Sequence, residues 1–370
     1  MIEPASPGTA GANRPARFRE RWPVRRWIFP WGFLVFSPLS LWLYEVHASA
    51  VLVFVVTLAA LVPATSLIAR STNDLSIKAS TTVGSLLNAT FGNAIELFIS
   101  IFAIRAGLVE MVQASISGSI IVNLLLLIGA SMLFGGIKHR DQRFNKESAG
   151  VASTMLLIAV AGLSLPTLYS MVTGRSAGVM SQAVSITLAA TYLLGLFFTL
   201  FTHRHIFMAK RDADAAPHWG VGRASLILLV SVAVIAVESQ VLVNMIVPLI
   251  ETIHLSQLFI GMVLIAIITN VPEHIAAISF GLRDNITLSF EIGMNSAIQI
   301  ALFVAPILVF VSPLVSGQPF TLAFTPFELV GLVLAVMIIN FIGSDGVCNW
   351  LEGVQLVAVY AIIATAFFFL

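Results

Sequence analysis

Apolar runs of about 20 residues recur along nearly the whole chain, and each is long enough to cross the hydrocarbon core of a bilayer as a helix. No other feature limits the fold as much. A helix satisfies its backbone hydrogen bonds within its own segment, so it can stand in lipid. A membrane barrel is disfavoured, because its strands alternate in polarity and do not stay apolar over such lengths. Of the 370 residues 58% are hydrophobic and only 10% are charged, with mean hydropathy +0.98. A soluble domain carries about 25% charged residues. A soluble enzyme, a secreted disulfide scaffold and a disordered chain are therefore excluded. The net charge of +1 gives no reason to expect nucleic acid as a partner. The single Cys348 allows neither an intramolecular disulfide nor a cysteine-built metal site. The first apolar run follows an Arg-rich tail, spans fully and lacks a convincing cleavage site, so no cleavable signal peptide is expected.

The runs predict an all-α polytopic membrane protein with about eleven transmembrane helices. Their expected limits are 28–46, 48–69, 80–104, 110–135, 149–168, 181–202, 224–250, 256–281, 286–315, 326–343 and 350–370. Basic residues favour the cytosolic side of a membrane protein. With the N-terminus inside, only Arg105 and Arg175 of the 19 Lys and Arg residues fall outside. One span more or fewer in the middle would scramble that asymmetry. The reading therefore places the N-terminus in the cytosol and the C-terminus outside. The short loops and compact length suggest a bacterial inner (plasma) membrane.

Two segments of the chain match each other without a gap. LLNATFGNAIELFIS (86–100) leads into QASISGSIIVNLLLL (113–127), and AIITNVPEHIAAISF (266–280) leads into EIGMNSAIQIALFVA (291–305). One offset, 177 residues, pairs Asn93 with Asn270, Glu96 with Glu273, Ser119 with Ser296 and Ile121 with Ile298. The span holding Glu96 runs inside to outside and that holding Glu273 runs outside to inside, so the repeats are inverted. Transporters built this way carry their substrate site between the repeats near the midplane. The expected layout is a basic tail (1–27), an extra N-terminal helix (28–46), a first five-helix repeat (48–203), a cytosolic linker (204–223) and a second five-helix repeat (224–370).

The basic residues sit in tails, loops or span ends, but several acids do not. Glu96 and Glu273 lie deep in apolar segments, and Glu238 lies mid-span in SVAVIAVESQVLV. A carboxylate in hydrocarbon is costly and usually faces a polar cavity or a partner. Asn93 and Glu96 share a helix face, as do Asn270 and Glu273. Gly92 and Pro272 interrupt those helices, and a proline frees the carbonyl four residues before it. Carboxylate, amide and carbonyl oxygens suit a hard cation such as calcium, which takes six to eight of them. Gln113, Ser117, Ser119, Asn123, Asn295, Ser296 and Gln299 could add further ligands. His274 is a candidate pH-sensitive group beside Glu273. A cation and protons would compete for the same carboxylates, which is the minimum machinery for antiport. Asn and Ser also hold membrane helices together, so a packing role stands beside the ligand role for each of these polar residues and for Glu238. Glu291, Glu328 and Glu352, near span ends, are expected at the membrane interface. Asp212 and Asp214 are expected in solvent. Pro166, Pro248, Pro306 and Pro313 are expected to kink or end helices.

At these residues the sequence resembles the cation/proton exchangers (Ca2+/H+ antiporters) of the calcium/cation antiporter superfamily. The likeness is carried by LNATFGNAIELFISIFAIRAGLVEMVQASISGSIIVNLLLLIG (87–129) and by Asn270, Glu273 and His274 followed by Ser296 and Gln299. Asp345, Gly346, Asn349, Leu351, Glu352 and Gly353 carry the rest. The resemblance implies an extra first helix plus two inverted five-helix halves. It implies export of cytosolic calcium in exchange for protons, with Glu96 and Glu273 as the central carboxylates. The family usually has Gly at the positions of Thr269 and Asn295, so both residues are expected to add side chains around the second half of the site. It often has a strongly acidic linker, absent here, and a Thr-Glu pair where Asn73 and Asp74 stand. It commonly has an acid in the helix that holds Glu238.

The expected function is a secondary active antiporter working by alternating access, with calcium and protons as its substrates, the bilayer as its surroundings, no enzyme activity and no cofactor. Asn93, Asn270, Gln113, Ser119, Ser296, Gln299, His274 and Glu238 are expected to complete or orient the site around the metal-binding pair Glu96 and Glu273. Exchange of sodium, potassium or manganese stays open, as does a cation channel, which would conduct without counter-transport. An intramembrane metalloprotease is set aside, because no second His follows at the needed spacing.

Overall fold

A computed structural model describes residues 31–78, 86–87, 90–203 and 217–370. The basic tail 1–27, residues 28–30 of the first expected span, residues 79–85 and 88–89 of the third, and residues 204–216 of the linker with Asp212 and Asp214 lie outside the described residues. The helices are α1 (Phe33–Glu45), α2 (Ala50–Lys78), α3 (Ala94–Arg105), α4 (Val109–His139), α5 (Lys146–Thr173) and α6 (Gly178–Thr202). They continue as α7 (Val221–Ile253), α8 (Gln257–Thr269), α9 (Val271–Gly281), α10 (Ile286–Ser316), α11 (Pro326–Gly343) and α12 (Trp350–Phe368). Among the described residues eight of these are long and apolar enough to cross a membrane, and α8 and α9 make a ninth if they count as one span bent by 57°. The protein is an integral membrane protein. Helices α1 and α3, at 13 and 12 residues, fall short of that length by themselves.

Sequence signals set the helix ends. Asn145 starts α5 by accepting the backbone N–H groups of Glu147 and Ser148, which satisfies donors that a first helical turn leaves without partners. Thr325 with Glu328, and Asn349 with Glu352, form reciprocal capping boxes at α11 and α12. Pro166, Pro248 and Pro313 lie inside α5, α7 and α10. Pro306 sits two residues beyond a wide-turn segment of α10, Ile300–Val304.

Helices α4 and α10 form the centre. Each has 31 residues, and both ends of one match both ends of the other at the 177-residue offset. Each carries a π-helical segment, Val122–Leu127 in α4 and Ile300–Val304 in α10. Such segments insert an extra residue into a helix and re-aim nearby side chains, often at functional sites. In α4, 72% of the apolar window is buried, against 17% in α6, so α4 is central and α6 faces outward. Close packing of α4 on α8 depends on two glycines. A Cβ at Gly118 would overlap the backbone of Met262, and one at Gly261 would press on the carbonyl of Met111.

The two ends of the helix bundle differ. At one end an unexpected pair of short strands, β1 (Asp141–Arg143) and β2 (Val347–Asn349), forms an antiparallel ribbon. Gln142 donates from Nε2 to the Gly281 carbonyl (2.9 Å) and to Asp284 (3.0 Å), and Lys138 donates to the Leu282 carbonyl (2.9 Å). Three loops that charge asymmetry assigns to one side are thus joined there. At the other end residues 317–325 form an extended strap with Phe320, Leu322 and Phe324 buried. The Leu322 N–H donates to Ser181 (3.0 Å) and the Phe324 N–H to Thr167 (2.8 Å). An extended strap cannot pair its own backbone groups, so neighbouring helices supply the partners.

Candidate cation-binding site

Two helix breaks build the site. Asn93 (φ −104°, ψ 31°) precedes α3, and Asn270 (φ −97°, ψ 9°) separates α8 from α9. Each Asn carbonyl starts the next helix by accepting the N–H four residues on, from Leu97 (3.1 Å) and His274 (3.0 Å). Each break is followed three residues later by an acid in the first helical turn, Glu96 in α3 and Glu273 in α9. A helix N-terminus carries partial positive charge that favours a carboxylate. The two carboxylates lie close enough for their charges to interact, and Thr269 stands beside Glu96.

Amide and hydroxyl groups tie the breaks together across the fold. Asn93 donates to Gln299 Oε1 (2.6 Å). Asn123 donates to Asn270 Oδ1 (2.9 Å) and to Ser296 Oγ (2.8 Å). The Asn270 amide donates to the Ala266 carbonyl (2.8 Å) and to Thr269 Oγ1 (3.2 Å). Asn123 lies inside the π segment of α4, and Gln299 immediately precedes that of α10. His274 Nδ1 lies 2.7 Å from the Asn270 carbonyl. A carbonyl only accepts, so Nδ1 carries a proton, and when the ring is neutral Nε2 keeps a lone pair.

Asn93, Glu96, Ser119, Thr269, Asn270 and Ser296 are buried, and Glu273, His274 and Gln299 are half-buried. Ser119 Oγ, Asn123 Oδ1, Glu273 Oε2 and His274 Nε2 are buried with no hydrogen-bond partner. Buried polar atoms normally have partners, so these four are free to act as ligands. Among the described residues no group of three or more His, Cys, Asp or Glu is arranged to hold a metal. Two carboxylates with neutral amide and hydroxyl oxygens suit a hard cation held loosely enough to leave.

Other expected site residues lie elsewhere. Gln113 donates to the Thr321 carbonyl of the strap (3.0 Å). Glu238 is fully buried and accepts the Ser37 hydroxyl, which ties α7 to α1. Ser117 donates to Glu328 (2.8 Å), which also closes the α11 cap, so this span-end acid is fully buried within the protein. The Asn295 side chain is exposed and lines a separate cavity, so it adds nothing around Glu273. Asp74 accepts the N–H groups of His218 (3.1 Å) and Trp219 (3.0 Å), which fastens α2 to the start of α7. The Asp345–Gly353 stretch is structural: Gly346 takes φ +80° beside the ribbon, Asn349 caps α12, and Gly353 touches the backbone of Leu133. Asn123, a candidate ligand by sequence, and Thr269 are both at the second break, although the repeat marks neither. Asn123 has only apolar Ile300 at its matched position, and Thr269 is visible only as a departure from a resemblance.

The sodium/calcium exchanger protein family matches this chain twice, over residues 49–201 and 223–369. A Ca(2+)/H(+) antiporter of Aphanothece halophytica is 38% identical over 91% of this chain and 95% of its own length. The chain belongs to the cation/proton exchanger family. A second relative of this exchanger, the Ca(2+)/H(+) antiporter ChaA of Bacillus subtilis, is 37% identical over 90% of the chain and 96% of its own. The crystal structure of the Ca2+/H+ antiporter protein YfkE matches the exchanger with a TM-score of 0.79 at 35% identity, over 93% of this chain and 99% of that one.

Proposed function

We propose that this exchanger is a secondary active antiporter that moves calcium out of the cytosol in exchange for protons. The observation that carries the proposal is the pairing of two helix breaks, which puts Glu96 and Glu273 in first helical turns within reach of each other's charge. One divalent cation neutralises the pair, and so do two protons. An empty pair would leave two charges in a low-dielectric interior, which is strongly disfavoured. The site therefore changes sides loaded with one substrate or the other, and this couples the two flows. Asn93, Asn123, Asn270, Ser119, Ser296 and Gln299 orient or complete the ligand set. His274 Nε2 is a proton acceptor beside Glu273.

Eleven spans, in one extra helix and two inverted five-helix halves, are part of this reading. The matched lengths of α4 and α10, the matched breaks and the double family match support it. On the positive-inside asymmetry the ribbon end is cytosolic, with the N-terminus on that side and the C-terminus outside, and the short loops and compact length favour a bacterial inner membrane. Thr269 against Glu96 adds bulk and a neutral oxygen to the site, which favours a second reading in which manganese, sodium or potassium competes with calcium.

Calcium uptake into proteoliposomes with an acidic interior tests the proposal. Uptake should follow the proton gradient and collapse with a protonophore. Gradient-independent calcium flux would replace antiport with a channel, and uptake of another cation in preference would move the function to the second reading.

A further inference from the structure

A small cavity of about 20 Å³ lies at the ribbon end between the start of α5 and the start of α10. That is room for one water molecule. Its polar wall is Asn145, Ser148, Thr287, Glu291 and Asn295. Among the described residues Glu291 has one protein hydrogen bond, a long one from Ser148 at 3.4 Å. Asn295 is exposed and its amide has no protein partner among the described residues. An exposed free amide and a half-buried carboxylate inside a membrane-length helix need a polar environment.

Their spacing gives them one. Glu291, Asn295 and Gln299 recur every four residues, so they form a polar stripe along one face of α10. The stripe covers about 12 Å of helix axis. It starts at the cavity and ends at Gln299, which accepts the hydrogen bond from Asn93. The offset-matched partner of Asn295 is Gly118, where α4 lies directly against the backbone of Met262. The matched position is thus sealed in one half and carries an open amide in the other.

We propose that Glu291 and Asn295 form an outer station where a divalent cation, stripped of part of its hydration shell, first binds on the ribbon side, before it passes along α10 to the Glu96–Glu273 pair. The inference rests on the antiporter reading and adds a second, weaker site to it. A carboxylate, an amide oxygen and hydroxyls replace part of the calcium hydration shell, and water supplies the remaining ligands. One negative charge at a narrow mouth raises the local cation concentration and leaves the inner site unchanged.

The test uses the full chain in proteoliposomes, with calcium titrated on the ribbon side at low ionic strength. Glu291→Gln should raise the KM for calcium about threefold to tenfold and retain the maximal rate. Glu291→Asp should restore most of the affinity, and Glu147→Gln, an exposed acid at the same end, should leave KM in place. An unmoved KM in Glu291→Gln, or a lost maximal rate with KM unmoved, overturns the proposal. A second readout needs no transport. Asn295→Cys in a Cys348→Ser background should react with a cationic thiol reagent from the ribbon side. Calcium should slow that reaction, and adding Glu291→Gln should remove the slowing. Labelling that calcium does not slow overturns the station. Absence of proton-coupled uptake in the unmodified protein overturns the antiporter reading instead, and the labelling still reads the station on its own.

Discussion

Helices α4 and α10 have equal lengths, matched ends and a π segment each, yet they are packed differently. At Gly118 the first runs against the backbone of α8 with no room for a Cβ. At Asn295 the second presents an exposed amide to a cavity beside Glu291. The strap end is packed by glycine contacts and by buried Phe320, Leu322 and Phe324, whereas the ribbon end holds a small cavity with Glu291 and Asn295 on its wall. The two halves thus match in sequence and length but not in packing: the flank at Gly118 is closed, and the flank at Asn295 carries polar groups.

The largest expected effect tests the symmetry at the centre. Glu96→Gln and Glu273→Gln should each reduce proton-driven calcium uptake to the level of empty liposomes, with both variants expressed and folded. Full activity in either one would break the equivalence of the two halves. Next is the flank. Gly118→Ala should lower stability by about 1–3 kcal/mol, because its Cβ must displace the Met262 backbone. Asn295→Ala should stay within about 0.5 kcal/mol. Thermal unfolding in detergent compares them, and equal losses would mean that the two positions are packed alike.

Smaller effects sharpen the contrast between the ends. Thr325→Ala and Asn349→Ala each remove a helix cap, one beside the strap and one beside the ribbon, at about 1 kcal/mol each. The smallest effect concerns Cys348 in the ribbon. Burial, helped by the charges of Glu352, Asp345, Asp141 and Asp284, pushes its thiol up to about 12. Between pH 7 and pH 9 it should resist maleimide in the folded protein and react promptly after denaturation, since only the thiolate is nucleophilic. Prompt reaction in the native state would show that the ribbon opens.

The centre was legible because its signals are local. Gly92, Pro272 and two carboxylates in apolar surroundings point to breaks near Asn93 and Asn270, and the breaks are there. The surroundings were not. Gln113 and Glu238, read as site residues, are engaged by Thr321 and Ser37, which lie 208 and 201 residues away in the chain. Glu328, an acid at a span end, is buried against Ser117 of another helix, a contact that spacing along its own segment does not reveal. Asn123 holds the second break in place from 147 residues away, and nothing at its matched position announces that role. The ribbon escaped notice because a strand of three residues has too little pattern to read.

By itself the sequence determined that this is a helical membrane protein of the cation/proton exchanger family, with two matched segments and a pair of acids beside two helix breaks. Each of these depends on hydropathy, helix-breaking residues or spacing within one segment, and those act over a few turns of chain. Only the tertiary structure decided which amides tie the breaks together, which acids are clamped elsewhere, and which flank of the central helices is closed. Those outcomes depend on helix crossings that bring distant residues within about 3 Å, a hydrogen-bond distance that spacing along one segment cannot specify.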